Sequence, residues 1–423
     1  MTEQLNSAAS GRPRLDAWLM YAGRGTRDAA RSILAILIAI YLAQIGFSTT
    51  ETGVVLGISL AGGVLVSLAV MVTGTRVSRR AWFVSLALLT AITGILLIAS
   101  ENILVLAVGS FFGSYAASGM HVGPIIQLEQ AGLAQVSAND RRTRAFSNLS
   151  ISSSAGRAAG ALLVGVATFL INVRDFEPVD AYRITIGIYV ALNFITAGVY
   201  AALSSAVETK REVDAASPTW PNPLQAKARG RILRISALFG VDSFAGGLVF
   251  DAFVSFWLFT KFGVNEGTIG GVFVAMQVVN LVSLWLAPYV ANRIGLLNTL
   301  VWTQFAGNLA LIGFAFAPAA SVAVLFLIVR ALFDEMDVPT RQSYVMAIVP
   351  DDERVLMAGT NNLGRAIGRV PSSTVTGVLW SGALTVAPWL LGAGLKLAYD
   401  LAVYMSFRAV TPPEERERAA RRE

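Results

Sequence analysis

The chain contains no cysteine and a single histidine, and only 14% of its 423 residues are charged. Without cysteine there are no disulfides and no thiolate metal sites. One histidine argues against the histidine pairs on which many metal centres and polytopic membrane enzymes rely. Charge this sparse excludes an ordinary soluble domain, where about 25% of residues are charged. No G-x-x-x-x-G-K-S/T stretch occurs, which argues against a nucleotide-driven pump within this chain. What is present is apolar: 55% of residues are hydrophobic and the mean hydropathy is +0.61. Apolar stretches of roughly 20 residues recur along the whole chain, the length a helix needs to cross a bilayer. That dispersion fits neither a signal peptide ahead of a soluble enzyme nor a single-span anchor.

The pattern predicts an all-α integral membrane protein with twelve spans, at 25–46, 52–73, 82–99, 102–135, 144–172, 183–204, 233–260, 266–290, 296–317, 319–348, 355–380 and 383–405. Spans 4, 5, 7 and 10 exceed the roughly 20 residues of a straight crossing, so their ends tilt or project. An even number places both termini on one side. Of the 33 lysines and arginines, 24 fall in the tails, the 2–3, 4–5, 6–7, 8–9 and 10–11 loops and the adjoining span ends, Arg27 and Arg31 among them. Only Arg174, Arg183 and Lys261 fall on the opposite side. The positive-inside bias therefore makes both termini cytoplasmic in a multi-pass cell-membrane protein. It also accounts for the net charge of +6 without nucleic acid.

Residues 204–229 are the longest polar break and carry Pro218, Pro221 and Pro223, the composition of a linker. The expected organisation is a tail at 1–24, a six-helix bundle at 25–204, a cytoplasmic linker at 205–232, a second bundle at 233–405 and a tail at 406–423. The halves echo one another. VANRIG at 290–295 follows TGTRVS at 73–78 by 217 residues, and Pro339 follows Pro124 by 215. AGRAAGALLVG at 155–165 aligns with IGRVPSSTVTG at 367–377 at an offset of 212, pairing Arg157 with Arg369. A drifting offset is what a duplicated six-helix unit leaves, and parallel halves are a transporter plan.

MVTGTRVSRR, 71–80, and PYVANRIG, 288–295, occupy equivalent turns after the second and eighth spans. With the twelve spans and the duplication, they resemble the major facilitator superfamily over residues 20–410. That family's first cytoplasmic signature is G-x-x-x-D-R-x-G-R-R. Arg76, Arg79 and Arg80 are kept, as are Arg293 and Gly295 in the second copy. Met71, Thr75 and Ser78 replace the glycine, aspartate and second glycine, and Asn292 replaces the second acid. The resemblance implies two pseudo-symmetric six-helix bundles, the major facilitator fold, and secondary transport by alternating access. Spans 1, 4, 7 and 10 would line the cavity, 2, 5, 8 and 11 would form the rocking interface, and the rest would lie outside. It also implies a gating-loop role for Arg76, Arg79, Arg80 and Arg293, a monomer, no enzymatic activity and no cofactor. DVPTRQSYVMAIVPDDER, 337–354, is similar to a group of bacterial members whose substrates are mostly unassigned. Gly156, Gly160 and Gly165 match the glycines of the family's antiport signature without its proline, and span 11 carries Gly364, Gly368 and Pro371. These tilt the direction toward export.

Charges inside the spans carry the functional reading, because each costs at least about 2.5–3.5 kcal/mol at the bilayer centre and so faces water or a partner. In span 10, Arg330 and Asp334 are four apart, as are Asp337 and Arg341, and all four lie near one face. Arg365 and Arg369 in span 11 are four apart and repel unless an anion or carboxylate intervenes. Arg157 falls near the middle of span 5. The plainer reading of Arg157 and Arg369 pairs them with Asp242, Asp334 or Glu129 to lock one state. In span 7, Asp242 and Asp251 are nine residues apart and on opposite faces, unless Gly246 and Gly247 let the helix unwind between them. His121 and Glu129, eight apart in span 4, are candidates for carrying a proton. The plainer reading makes His121 a packing residue and Glu129 an edge carboxylate held by a loop arginine such as Arg141.

These groups are expected to line a water-accessible cavity between two halves that rock, moving a small molecule or ion coupled to protons. Arg157, Arg330, Arg365 and Arg369 favour an anionic cargo. Glu129, Asp242, Asp334 and Asp337 favour export of a cationic or amphipathic one. A facilitated uniporter, an anion symporter and a non-transporting sensor are the alternatives.

Overall fold

A computed structural model describes residues 2–73, 77–113, 124–136, 142–208, 229–334, 336, 341, 354–382 and 385–408. Regular structure among them is entirely helical. The first six spans are α1 (Thr2–Gln44), α2 (Thr49–Thr73), α3 (Arg79–Ala99), α4 (Ile103–Gly113) with α5 (Pro124–Val136), α6 (Arg142–Leu163) with α7 (Gly165–Arg174), and α8 (Pro178–Ala201). The second six are α9 (Arg229–Gly247) with α10 (Asp251–Phe262), α11 (Glu266–Ile294), α12 (Leu296–Ala315), α13 (Ala320–Asp334), α14 (Arg354–Arg369) with α15 (Ser372–Ser381), and α16 (Ala387–Phe407). This is a twelve-helix topology in which the fifth, seventh and eleventh spans are each divided into two helices. Among the described residues, seven helices are long and apolar enough to cross a membrane.

The chain divides into two compact units, one of Met1–Ala215 with Asp251–Val274 and one of Ala216–Phe250 with Ala275–Glu423. In the first, α1 packs along α6, α8 and α10, α3 lies on α8, and α2 lies on α4. Met20, Phe83, Leu128, Leu149, Tyr200 and Val207 form part of its core, with the Phe83 and Tyr200 rings stacked at 4.6 Å. Ser255 on α10 donates to the Ile36 carbonyl at 2.6 Å, fixing α10 against α1. In the second unit, α9 packs on α14 and α16, and α12 packs on α13 and α16. Ile232, Phe239, Leu300, Met357, Tyr399 and Phe407 lie in its core.

Close helix crossings depend on absent side chains. A Cβ on Gly156 would strike the Gly25 carbonyl, and one on Gly368 would strike the Gly240 carbonyl. Gly240 follows Gly25 by 215 residues and Gly368 follows Gly156 by 212, so the two crossings are the same contact in the two copies. One turn on, Gly160 meets Ser32 in the first unit and Ser372 meets Gly247 in the second, with the glycine on the other helix. The repeat read from letters is thus a repeat of contacts. Gly62 of the 57–63 glycine run meets the Phe111 carbonyl in the same fashion. Small residues let helix backbones approach where lipid supplies no hydrophobic drive.

The seventh span unwinds where the glycine pair allows. Helix α9 ends at Gly247 and α10 starts at Asp251. The Leu248 carbonyl left by the break accepts a hydrogen bond from Thr376 Oγ1 at 3.1 Å. Broken backbone inside a membrane domain needs such a partner.

Gly156→Ala and Gly368→Ala should each lower the melting temperature in detergent, with an overpacking cost of about 1–3 kcal/mol. Gly165→Ala, where no atom within 4 Å meets a new methyl group, should leave it unchanged. Melts followed by tryptophan fluorescence check the contrast.

Candidate functional site

The first helix starts well before residue 25, and this changes the reading of its charges. Arg27 and Arg31, counted from sequence as cytoplasmic-edge residues, lie on α1 among buried partners together with Arg24 and Asp28. Arg24 and Asp28 are one turn apart, and the guanidinium Nε donates to Asp28 Oδ2 at 2.7 Å. Its Nη1 donates to Glu129 Oε2, also at 2.7 Å, and its Nη2 to Ser153 Oγ at 3.3 Å. Arg27 reaches the same Glu129 oxygen at 3.2 Å. Asp28 lies 3.6 Å from both Arg27 and Arg31 and accepts a hydrogen bond from Ser153. Tyr200 donates to the other oxygen of Glu129 at 2.5 Å. The carboxylate of Glu129 is therefore held from α1 and α8 and is 0% exposed. Arg141, the loop cation expected beside it, falls outside the described residues.

The second unit holds a comparable arrangement. Asp242, 2% exposed, lies 3.1 Å from Lys396 Nζ and 3.6 Å from Arg341. Lys396 is 3.5 Å from Gln304 Oε1, and Asn308, one turn along α12, donates to Asp400 at 3.1 Å. Arg365 donates to Ser243, the neighbour of Asp242, at 3.2 Å. Arg341 lies over the Phe239 ring at 5.5 Å. Asp242 follows Asp28 by 214 residues, one short of the 215 that relates Gly25 to Gly240 and Ser32 to Gly247, so the crossings set Ser243, the neighbour of Asp242, at the place of Asp28.

The remaining candidates behave differently. Arg157 donates to Ser154 at 3.4 Å on its own helix, and Arg369 lies over the Phe250 ring at 4.8 Å. Among the described residues of the first unit, the cations that hold Glu129 are Arg24 and Arg27. Arg330 and Asp334, four residues apart, pair within α13 at 3.1 Å. Asp251 opens α10 across the break from Asp242. His121, Asp337 and Arg76 fall outside the described residues. Arg79 and Arg80 offer their backbone amides to the Glu208 carboxylate at 2.7 and 3.1 Å, and Arg79 also donates to the Val207 carbonyl at 2.9 Å. A carboxylate at a helix N-terminus is a favourable pairing, so this turn is tied to the start of the linker. Arg293 stays on its own helix, donating to Tyr289 at 2.5 Å. Phe250, Phe253, Trp257 and Trp380 are buried packing residues.

Sequence reading missed Arg24, Asp28, Ser153, Tyr200 and Lys396. It also missed Glu266, which is buried at the start of α11, where Tyr182 and Thr168 both donate to its carboxylate. For the first cluster the available signal was charge at helical spacing, Arg24 with Asp28 and Arg27 with Arg31. For Glu266 no local pattern pointed inward, since an acid in the first turn of a helix is ordinary.

Both clusters keep ionised groups inside an apolar fold through mutual neutralisation. Such pairs add little net stability, but removing one partner leaves an uncompensated buried charge. They can also release and recapture ions when a helix shifts.

Comparison with known proteins gives a consistent result. The family model for the Major Facilitator Superfamily matches residues 20–373. An uncharacterized membrane protein of Saccharomyces cerevisiae is 21% identical, over 93% of this chain and 94% of its own. The crystal structure of a mutant of the nucleoside transporter NupG superposes with a TM-score of 0.74 at 16% identity, covering 93% of this chain and 100% of that one. The POT family transporter PepTSo gives 0.73 at 11% identity, covering 94% and 98%. At these identities the structural likeness is one of fold.

Asp242→Asn should destabilise the protein by about 3–5 kcal/mol by stranding Lys396, and Lys396→Met by a similar amount. The double variant should recover a large part of the loss. Asp180→Asn, whose side chain is 60% exposed, should change stability by less than about 0.5 kcal/mol. Thermal melts of the four proteins against wild type test this.

Proposed function

Because the chain belongs to the Major Facilitator Superfamily, it is a multi-pass membrane protein that moves a solute across the membrane as a secondary transporter, and we propose that it works by alternating access coupled to protons, with export the favoured direction. It belongs to a family of transporters rather than of enzymes.

The observation that carries the coupling is a carboxylate buried between cations in each unit: Glu129 and Asp28 in the first, Asp242 in the second. While its cation stays in contact, such a carboxylate holds its charge. If a helix movement or a competing ligand draws the cation away, the charge is left buried without its partner, and taking up a proton relieves that cost. Substrate and proton are then linked without touching the same atom. Charged groups inside membrane helices mark ion and substrate pathways in general.

Alternating access needs contacts that hold one state and break in the other. The carboxylate of Glu266, gripped by Tyr182 and Thr168, suits that role, because it ties the start of α11 to α7 and α8 by hydrogen bonds alone. The glycine crossings of α1 with α6 and of α9 with α14 supply smooth surfaces for small helix displacements. Export is favoured by Gly156, Gly160 and Gly165, the glycines shared with the antiport signature, two of which face α1 at close range. In this reading both termini are cytoplasmic and the monomer is the working unit.

A thermal-shift panel of carboxylates, phosphates, sugars and cationic drugs should identify a stabilising compound. Its flux in reconstituted vesicles should then be measured with a pH-sensitive dye in light buffer. The proposal expects flux to change internal pH, and expects Asp242→Asn to lose the pH dependence while retaining exchange of cargo down its gradient. Flux that is independent of pH and moves no protons would contradict the coupling.

A further inference from the structure

Hydroxyl and amide side chains on these helices commonly satisfy themselves on the turn behind. Thr93 and Thr303 donate to the carbonyls four residues back at 2.7 Å, and Asn193 does the same at 2.8 Å. Helix α11 departs from this. Gln277, Asn280 and Ser283 follow one another at three-residue spacing near its middle, and the side-chain oxygen of each is buried without a hydrogen-bond partner. Ser283 is 0% exposed. Among the described residues of this unit, Ser236, Asn361 and Ser373 also carry an unpaired buried oxygen, but one on each of α9, α14 and α15. Buried polar atoms nearly always have a partner, and three orphans in line on one helix call for a shared one.

The three lie on the side of α11 turned away from lipid. Val278, Leu281, Val282, Trp285 and Tyr289 are exposed, Trp285 to 79%, and at about 3.6 residues per turn they fall on one face. Asn280 and Ser283 fall on the opposite face with the buried Ala287 and Ala291, and Gln277 stands at its flank. With a rise of about 1.5 Å per residue, Gln277 to Ser283 covers about 9 Å, the length of a small solute.

The residue types narrow the chemistry of the shared partner. Unpaired oxygens need a donor, which a carboxylate or a fully ionised phosphate does not offer. An amide also presents an NH2 group beside its oxygen, so a group that both donates and accepts matches it, and a hydroxyl does both. No charged residue stands on α11 between Glu266 and Arg293, and Glu266 is eleven residues, about 16 Å, from Gln277. An ammonium group at the stripe would find no counter-charge on this helix, and burying it unpaired is costly. Neutral hydroxyls avoid that cost.

We propose that Gln277, Asn280 and Ser283 recognise a neutral solute bearing several hydroxyl groups, a sugar or polyol. This rests on the transport reading above and names its substrate class. The family resemblance gives the eighth span to the rocking interface, and the stripe adds solute recognition to that role.

The test is calorimetric titration of the purified protein with D-glucose, D-mannitol and myo-inositol, with fully O-methylated glucose, sodium succinate and choline chloride as controls. At least one of the three polyols should bind saturably, and preference for the rings or for open-chain mannitol identifies the form. Methylated glucose, which accepts hydrogen bonds and donates none, should not bind. Asn280→Leu and Ser283→Ala should each weaken binding about two- to tenfold, the loss of one neutral hydrogen bond. Both should leave the melting temperature without solute unchanged or raised, because no internal hydrogen bond is lost. Asn280→Gln should recover part of the affinity. A lower melting temperature in both variants would show that the stripe pairs within the protein and would overturn the proposal. Polyol binding that both variants leave unchanged, or no saturable polyol binding at all, would overturn it equally. Vesicle flux separates the two readings: polyol binding without flux would defeat transport and keep the site, whereas flux of a charged solute, unaltered in both variants and with no polyol binding, would do the reverse.

Discussion

An ion buried in an apolar helical unit must be matched by an opposite charge, and this requirement organises the inside of the protein. Glu129 and Asp242 are almost wholly shielded, at 0% and 2% exposure, and each is held by two cations. Desolvating one such group alone costs several kcal/mol. The partners therefore come from different helices and fix how those helices lie. Glu129 on α5 ties to Arg24 and Arg27 on α1 and to Tyr200 on α8, and Asp242 on α9 ties to Lys396 on α16. Packing by glycine then sets the distance. The Gly25–Gly156 crossing brings α6 close enough for Ser153 to reach Asp28.

The duplication gives each unit the same skeleton and different chemistry. The glycine crossings recur at equivalent places, and Asp242 lies one residue out of register with Asp28 between them. Around them the residues diverge: three arginines one turn apart on α1 have no counterpart on α9, whose aspartate recruits Lys396 from α16 and Arg341.

Much of the architecture was legible in the sequence because hydropathy and repeat spacing are local or additive signals. The twelve-helix topology is the expected one, and the weak point between Asp242 and Asp251 is a true break. The offset of 212 that paired Gly156 with Gly368 turns out to align two helix crossings. The site was less legible. An arginine near the start of an apolar span looks like a topology marker, and nothing within RGTRDAARS, 24–32, says that the helix continues inward on both sides of it. Partner choice was hidden altogether, since Arg24 and Glu129 stand 105 residues apart. Sequence offered Arg141 for that carboxylate because it was the nearest cation along the chain. Arg330 with Asp334, four residues apart on one helix, was readable for the opposite reason.

The account stands on the claim that the buried ionic clusters face a path that opens to water from each side in turn, and are not sealed structural pairs. The absence of cysteine makes this directly measurable. Ser154→Cys and Ser243→Cys, introduced one at a time beside the two clusters, can be exposed to a membrane-impermeant thiol reagent from either face of oriented vesicles. The account predicts that both cysteines react from both faces, at rates whose ratio changes when a stabilising solute is added. Cysteines in folded protein that react from neither face, with or without solute, would contradict it.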